Sequence, residues 1–144
     1  HVLSRRQRQM CIRDSCQTQR NLNQQGIEQS ILLGKIFQDN NISFDKVYSS
    51  QWCRCIDTAQ YAFGEYQELN LLNSTFSHNY QKNHLRQMKE LKKLIFNFKE
   101  DHGNIIFITH YVIIGGILDY YPNSGEIVIA DKSLKVLGSI KTSY

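Results

Sequence analysis

Several functional classes are excluded by what this sequence lacks. No apolar run approaches the roughly 20 residues that a membrane-spanning helix needs. Arg5, Arg6 and Arg8 stand where a charged leader would, but no apolar stretch follows them, so this start does not read as a secretory signal. There is no Gly-rich Walker loop to cradle a nucleotide phosphate and no G-x-S-x-G elbow for a serine nucleophile. None of the four cysteines, Cys11, Cys16, Cys53 and Cys55, has an arginine six residues on, which removes the loop that holds phosphate against a catalytic thiolate. Cys53 and Cys55 form a lone C-x-C with no second pair at zinc-ligand spacing, so neither a metal nor another cofactor is expected. The cysteines are also too sparse for a disulfide framework, and they read as small buried apolar side chains. Internal repeats and low-complexity linkers are absent.

What remains fits one globular domain. The 144 residues are 41% hydrophobic, enough to bury roughly two thirds of the unfolded surface. The net charge of +4 is unevenly spread. Arg5, Arg6, Arg8 and Arg13 against Asp14 give the first 15 residues +3, leaving +1 for all the rest. A nearly neutral domain does not point to nucleic acid, and a basic-tailed nucleic acid binder is the weakest of the readings. Residues 1–15 (HVLSRRQRQMCIRDS) show neither helical nor strand periodicity. They resemble translated sequencing-adapter read-through, so the expectation is a non-native or disordered segment at 1–15 ahead of a domain at 16–144, with a genuine basic tail as the alternative.

From Asn23 the pattern becomes regular. Asn23 is a good N-cap, and Gln24 to about Asp39 has the apolar spacing of a helix, with Gly34 marking close packing or merely weakening it. Phe44 to Tyr48 reads as a short buried strand, and Trp52 to Phe63 as a helix stopped by Gly64. Leu69 to Leu72 is a short strand candidate, followed by a polar loop from Asn73 to Asn83. Leu85, Met88, Leu91, Leu94, Ile95 and Phe98 form the core stripe of a helix from His84 to about Lys99. Asn104 to Thr109 is a continuous apolar run, the pattern of a strand covered on both faces. A short helix from Val112 to Asp119 follows, with Gly115 and Gly116 allowing close approach to the sheet. Pro122 to Gly125 reads as a turn, and Glu126 to Ala130 with Leu134 to Ile140 as a final strand pair. Alternating helices and strands predict an α/β class, three layers with a mostly parallel sheet; the last pair is close enough for an antiparallel hairpin.

In such sheets ligands bind outside the carboxyl ends of the strands. Two of these ends carry chemistry: Ser49-Ser50-Gln51-Trp52-Cys53-Arg54 after the first strand, and Thr109-His110-Tyr111 after the later one. Arg54 falls in the first turn of a helix, where free N–H groups and the positive dipole end suit phosphate, and a guanidinium adds a two-pronged donor. The bland alternatives are a surface arginine and a hydrogen-bonded core histidine.

Ser49-Ser50-x-x-x-Arg54-x-x-x-Thr58-Ala59, the upstream Leu22-x-x-x-Gly26-x-x-Gln29 with Gly34, and Ile106-Phe107-Ile108-Thr109-His110 together resemble, in order and spacing, the histidine phosphatases of the phosphoglycerate-mutase-like superfamily. Cys16-Gln17-Thr18-Gln19-Arg20-Asn21-Leu22, Trp52-Cys53-Arg54-Cys55 and Ser124-Gly125-Glu126 resemble one bacterial branch of it. The resemblance covers about residues 16–140. It implies a phosphomonoester hydrolase working through a phosphohistidine, with His110 as the second catalytic histidine and Arg54 as a phosphate-binding arginine. Arg20 and Ser50 are further candidates for the phosphate pocket, Arg20 with helix capping as its alternative. The implied partner is a small phosphorylated substrate or inorganic phosphate; compartment, cytoplasmic or periplasmic, and oligomeric state carry no signature.

The chain departs from that pattern in two places. No Arg-His pair occurs anywhere, so the family's nucleophilic histidine, carried on a first strand upstream of Cys16, is missing. Tyr111 follows His110 where the wider family has glycine. The acidic proton donor is left open among Asp57, Glu65, Glu68 and Glu126. The expectation is therefore a truncated member, inactive and unstable as written, with a non-catalytic phosphate-binding module as the alternative.

Overall fold

A computed structural model describes Cys16 and residues 21–75, 81–99 and 103–142. The first 15 residues, and Thr18, Arg20, His78 and His102 with them, lie outside the described residues. In chain order the elements are α1 (Gln24–Asp39), β1 (Phe44–Ser49), α2 (Cys53–Phe63), β2 (Gln67–Glu68), α3 (His84–Phe96), β3 (Asn104–Ile108), α4 (Tyr111–Leu118), β4 (Ile127–Ala130) and β5 (Val136–Ile140). This is the α/β class expected. β2, β1 and β3 form a parallel sheet in that order, and β4 pairs with β5 as a separate antiparallel hairpin.

The local causes are legible. The Asn23 side chain accepts the Gly26 N–H at 2.8 Å and caps α1, supplying one of the acceptors a helix start lacks. Gly64 closes α2 in the left-handed conformation at φ 73°, which glycine adopts without a Cβ clash. Gly34 is required by packing: a Cβ there would lie 2.0 Å from the Ala62 carbonyl oxygen, so α1 and α2 touch backbone to backbone. Phe37, Phe44 and Phe63 fill the space beside that contact, edge to face, with centroids 5.1 to 6.1 Å apart.

The core is built on Leu72, Met88, Leu91 and Ile113. It joins α3 and α4 to one side of the sheet, as the stripe on α3 predicts for Met88, Leu91, Leu94 and Ile95; Leu85, expected in the same stripe, is exposed instead. Gly115 and Gly116 serve a different approach from the one expected. A Cβ on Gly115 would strike the Tyr121 ring at 2.1 Å, and one on Gly116 would meet Met88 and His84 of α3. Their role is packing against the following loop and a neighbouring helix, not against the sheet.

Three further expectations are corrected. Leu69–Leu72 is not a strand: pairing stops at Glu68, and Asn70–Leu72 is a 3-10 turn that drops Leu72 into the core. The bond from Leu69 N–H to the Ser49 carbonyl extends the ladder by one rung, then the Leu72 N–H turns back to the Leu69 carbonyl. The apolar run of β3 is only partly buried. Among the described residues β3 pairs with β1 alone, so it stands at an edge with a composition suited to the middle of a sheet. Finally, Cys53 is buried but not a free thiol; it is joined to Cys16 in a disulfide with Cα atoms 5.7 Å apart, a separation suited to such a bridge. Cys55 is free and buried, as expected.

The hairpin is tied back to α1. The Gln29 amide donates to the Thr142 carbonyl and hydroxyl, both at 3.1 Å, and the Thr142 hydroxyl donates to the Gly125 carbonyl at 2.6 Å. Gly125 has φ +78°, and a Cβ on it would lie 2.0 Å from the Gln29 amide nitrogen. Gln29 and Gly125, two of the motif positions, therefore meet in a structural joint.

Candidate phosphoryl site

The parallel pairing of β1 with β3 aligns Ser49 with Ile108. Ser50 and His110, just past those positions, therefore emerge at the same edge of the sheet. The Ser50 N–H donates to the Ile108 carbonyl at 2.9 Å, prolonging the ladder to the site itself. Ser50 is fully buried and His110 nearly so, at 6% exposure. The Ser50 Oγ lies 2.9 Å from His110 Nε2.

Arg54 arrives from the other chain segment. α2 starts at Cys53, so Arg54 sits in its first turn, and its Nη2 lies 3.1 Å from His110 Nδ1. Trp52, at the N-cap, offers no side-chain acceptor to the first-turn N–H groups; its ring stands edge-on to His110 with centroids 6.5 Å apart. Three sequence-expected residues, Ser50, Arg54 and His110, are thus brought together. Arg20, the fourth, is outside the described residues.

The electrostatics follow from burial beside a cation. Burial, reinforced by the Arg54 guanidinium, pushes His110 down to about 3. Its imidazole is therefore neutral at physiological pH. The Cys55 Sγ is 3.7 Å from His110 Nε2, and burial pushes this thiol up to about 11, so it stays protonated and is a poor nucleophile.

The candidate acids separate. Burial lifts the Asp57 carboxyl above its ordinary value; Asp57 is half-buried on α2, one turn after Arg54. Glu126 is held low by the Tyr120 hydroxyl and the Asn123 N–H, both of which donate to it, so it is engaged in the loop before β4. Glu65 is exposed and Glu68 lies on β2. His84 opens α3, as the helical pattern predicts, and pairs with the buried Thr75 hydroxyl at 2.6 Å.

One residue of the site was missed by the sequence reading. Asn73, expected as plain loop, accepts the Gln51 N–H at 2.7 Å and lies 3.2 Å from the Ser50 hydroxyl through the same Oδ1. Its Nδ2 donates to the Gln51 side chain at 2.9 Å. Asn73 follows the 3-10 turn that ends at Leu72, and its partners lie 22 and 23 positions away, so no local spacing marked it. Among the described residues no group of three or more His, Cys, Asp or Glu side chains is placed to hold a metal ion. No helix among them is long and apolar enough to cross a membrane.

Residues 7–75 match the family model of the histidine phosphatase superfamily, branch 1; the matched span begins inside the anomalous N-terminal segment. No curated protein sequence matches the chain. Among solved structures it is similar to the protein histidine phosphatase SixA complexed with tungstate, with a TM-score of 0.62 over 84% of this chain and 83% of that one, at 16% identity. The fold is that of the phosphoglycerate-mutase-like histidine phosphatases, and the sequence match to that superfamily's model covers just under half of the chain.

Proposed function

We propose that Arg54, His110 and Ser50 form one side of a phosphoryl site in a phosphomonoester hydrolase that works through a phosphohistidine. The observation that carries this is the junction itself: a first-turn arginine and a buried neutral histidine in contact at the carboxyl edge of a parallel sheet. Arg54 turns its guanidinium to the phosphoryl oxygens, aided by the N–H groups at the start of α2. A dianion at that position offsets the guanidinium charge that holds His110 down. His110 then accepts a proton and donates it as a hydrogen bond to the equatorial oxygens, stabilising charge in the transition state. Arg20 is assigned to the same pocket by its motif alone. The tungstate held by the SixA relative, a phosphate analogue, supports an oxyanion ligand of this kind.

The nucleophile is supplied by an Arg-His motif that these 144 residues do not contain. The 144-residue chain therefore binds an oxyanion without turning over a phosphomonoester. The alternative, a phosphate-binding module whose first strand has lost its histidine, is favoured by the same absence. Hydrolysis of an aryl phosphate separates them. The chain as written should show none, and a chain restored with its genomic upstream strand should show turnover that His110→Ala abolishes. Turnover by the 144-residue chain that is lost in His110→Ala contradicts the proposal. A restored chain without turnover establishes the non-catalytic module.

A further inference from the structure

The hydrogen bonds through His110 run in one direction, and we propose that Asn73 fixes that direction: it is a positioning residue that, through Ser50, keeps the His110 proton on Nε2 and leaves Nδ1 toward Arg54 and the incoming oxyanion. The purpose of this device rests on the phosphoryl-site reading above; its test does not.

A guanidinium has donors and no acceptor. The contact from Arg54 Nη2 to His110 Nδ1 at 3.1 Å therefore makes Nδ1 an acceptor. A neutral imidazole with Nδ1 accepting carries its proton on Nε2, and Nε2–H then donates to Ser50 Oγ at 2.9 Å. Ser50 Oγ also accepts the Trp52 N–H at 3.2 Å. With both lone pairs used, its own proton is directed to Asn73 Oδ1, 3.2 Å away.

Asn73 cannot reverse this. Flipping its amide would set Nδ2 against the Gln51 N–H, two donors face to face, and would break the bond to Gln51 Oε1. Its backbone is fixed as well. Gln87 of α3 donates to the Asn73 carbonyl at 2.8 Å and to the Leu71 carbonyl at 2.9 Å, and Thr109 donates to the Leu72 carbonyl at 2.6 Å. The buried chain therefore has two fixed ends, a donor-only end at Arg54 and an acceptor end at Asn73.

Only one end can be released. When the Arg54 guanidinium serves an anion, Nδ1 loses its donor. Without Asn73, the Ser50 hydroxyl would be free to rotate and donate to Nε2, letting the imidazole proton settle on Nδ1. With Asn73, Nε2–H stays on Ser50, and the proton taken up on anion binding enters at Nδ1. The neighbouring Cys55 thiol, neutral through burial, offers no competing charge.

Nitrogen-resolved NMR of the His110 imidazole in the full chain reads this directly, at mildly alkaline pH and without any oxyanion. Arg54→Met removes the donor end. The Nε2–H form should persist in Arg54→Met and in Arg54→Met/Asn73→Asp, whose carboxylate still accepts from Ser50. It should fall to a mixture with the Nδ1–H form in Arg54→Met/Asn73→Leu. A leucine double variant that folds and keeps pure Nε2–H overturns the proposal, as does an aspartate double variant that loses it. Should the leucine variant not fold, Arg54→Met decides with the aspartate variant: loss of Nε2–H in either overturns the proposal, and retention in both supports it. None of these readings depends on whether the protein binds phosphate.

Discussion

Replacing His110 with asparagine should flatten the dependence of stability on pH between about 6.5 and 3. In the folded protein His110 is pushed down to about 3 from an ordinary 6.5 by burial and by Arg54. Between those values the unfolded chain binds a proton that the folded chain does not, so stability falls as pH falls. The contribution is intact above about pH 6.5 and gone by about pH 3. Each pH step of one between those values is worth about 1.4 kcal/mol, so the whole effect is about 5 kcal/mol, of which about 2 is lost by pH 5. That is a large part of a typical domain stability of about 5–15 kcal/mol. Urea unfolding at pH 7 and pH 5 measures it, provided the slopes of the transitions agree. His110→Asn lowers stability at pH 7 through lost hydrogen bonds, but the variant should lose about 2 kcal/mol less than the wild type on going to pH 5. The same loss in both proteins would refute the reasoning, because every other titrating group is shared.

Other perturbations test the packing and the thiols. Gly34→Val forces α1 from α2, since the first added carbon already falls 2.0 Å from the Ala62 carbonyl oxygen; chemical denaturation should show a loss of roughly 1–3 kcal/mol or more. Cys53→Ser opens the link to Cys16 across a sequence separation of 37, and loop-closure entropy sets the expected loss at roughly 3–4 kcal/mol, matched by adding a reductant to the wild type. Cys55, its thiol raised to about 11, should resist alkylation by iodoacetamide at mildly alkaline pH in the folded protein and react once urea unfolds it, as mass spectrometry would show.

The parts of the fold legible in the sequence are those set by local spacing. α3 was visible because Leu85, Met88, Leu91, Leu94 and Ile95 repeat on one helical face, although it ends at Phe96 and not at Lys99. α2 was bounded by Gly64, a residue that can adopt the left-handed stop. The turn at Asn70–Leu72 was misread as a strand because three leucines in four residues suit either, and only the tertiary core decides that Leu72 points inward. Ser50, Arg54 and His110 were singled out by their places after strands, yet their contact depends on the pairing of β1 with β3. Asn73 was invisible as a partner because its bonds to Gln51 and Ser50 span 22 and 23 positions. The Cys16–Cys53 bridge was hidden for the same reason: it depends on a distance in space, and spacing along the chain carried no trace of it.

The central claim, that Arg54 and His110 form an oxyanion site, is tested most directly by calorimetric titration of the 144-residue chain with tungstate. Saturable one-site binding is predicted in the wild type, falling at least tenfold in Arg54→Gln and in His110→Asn while both variants remain folded. Undiminished binding in folded Arg54→Gln, or no binding by the folded wild type, would contradict it.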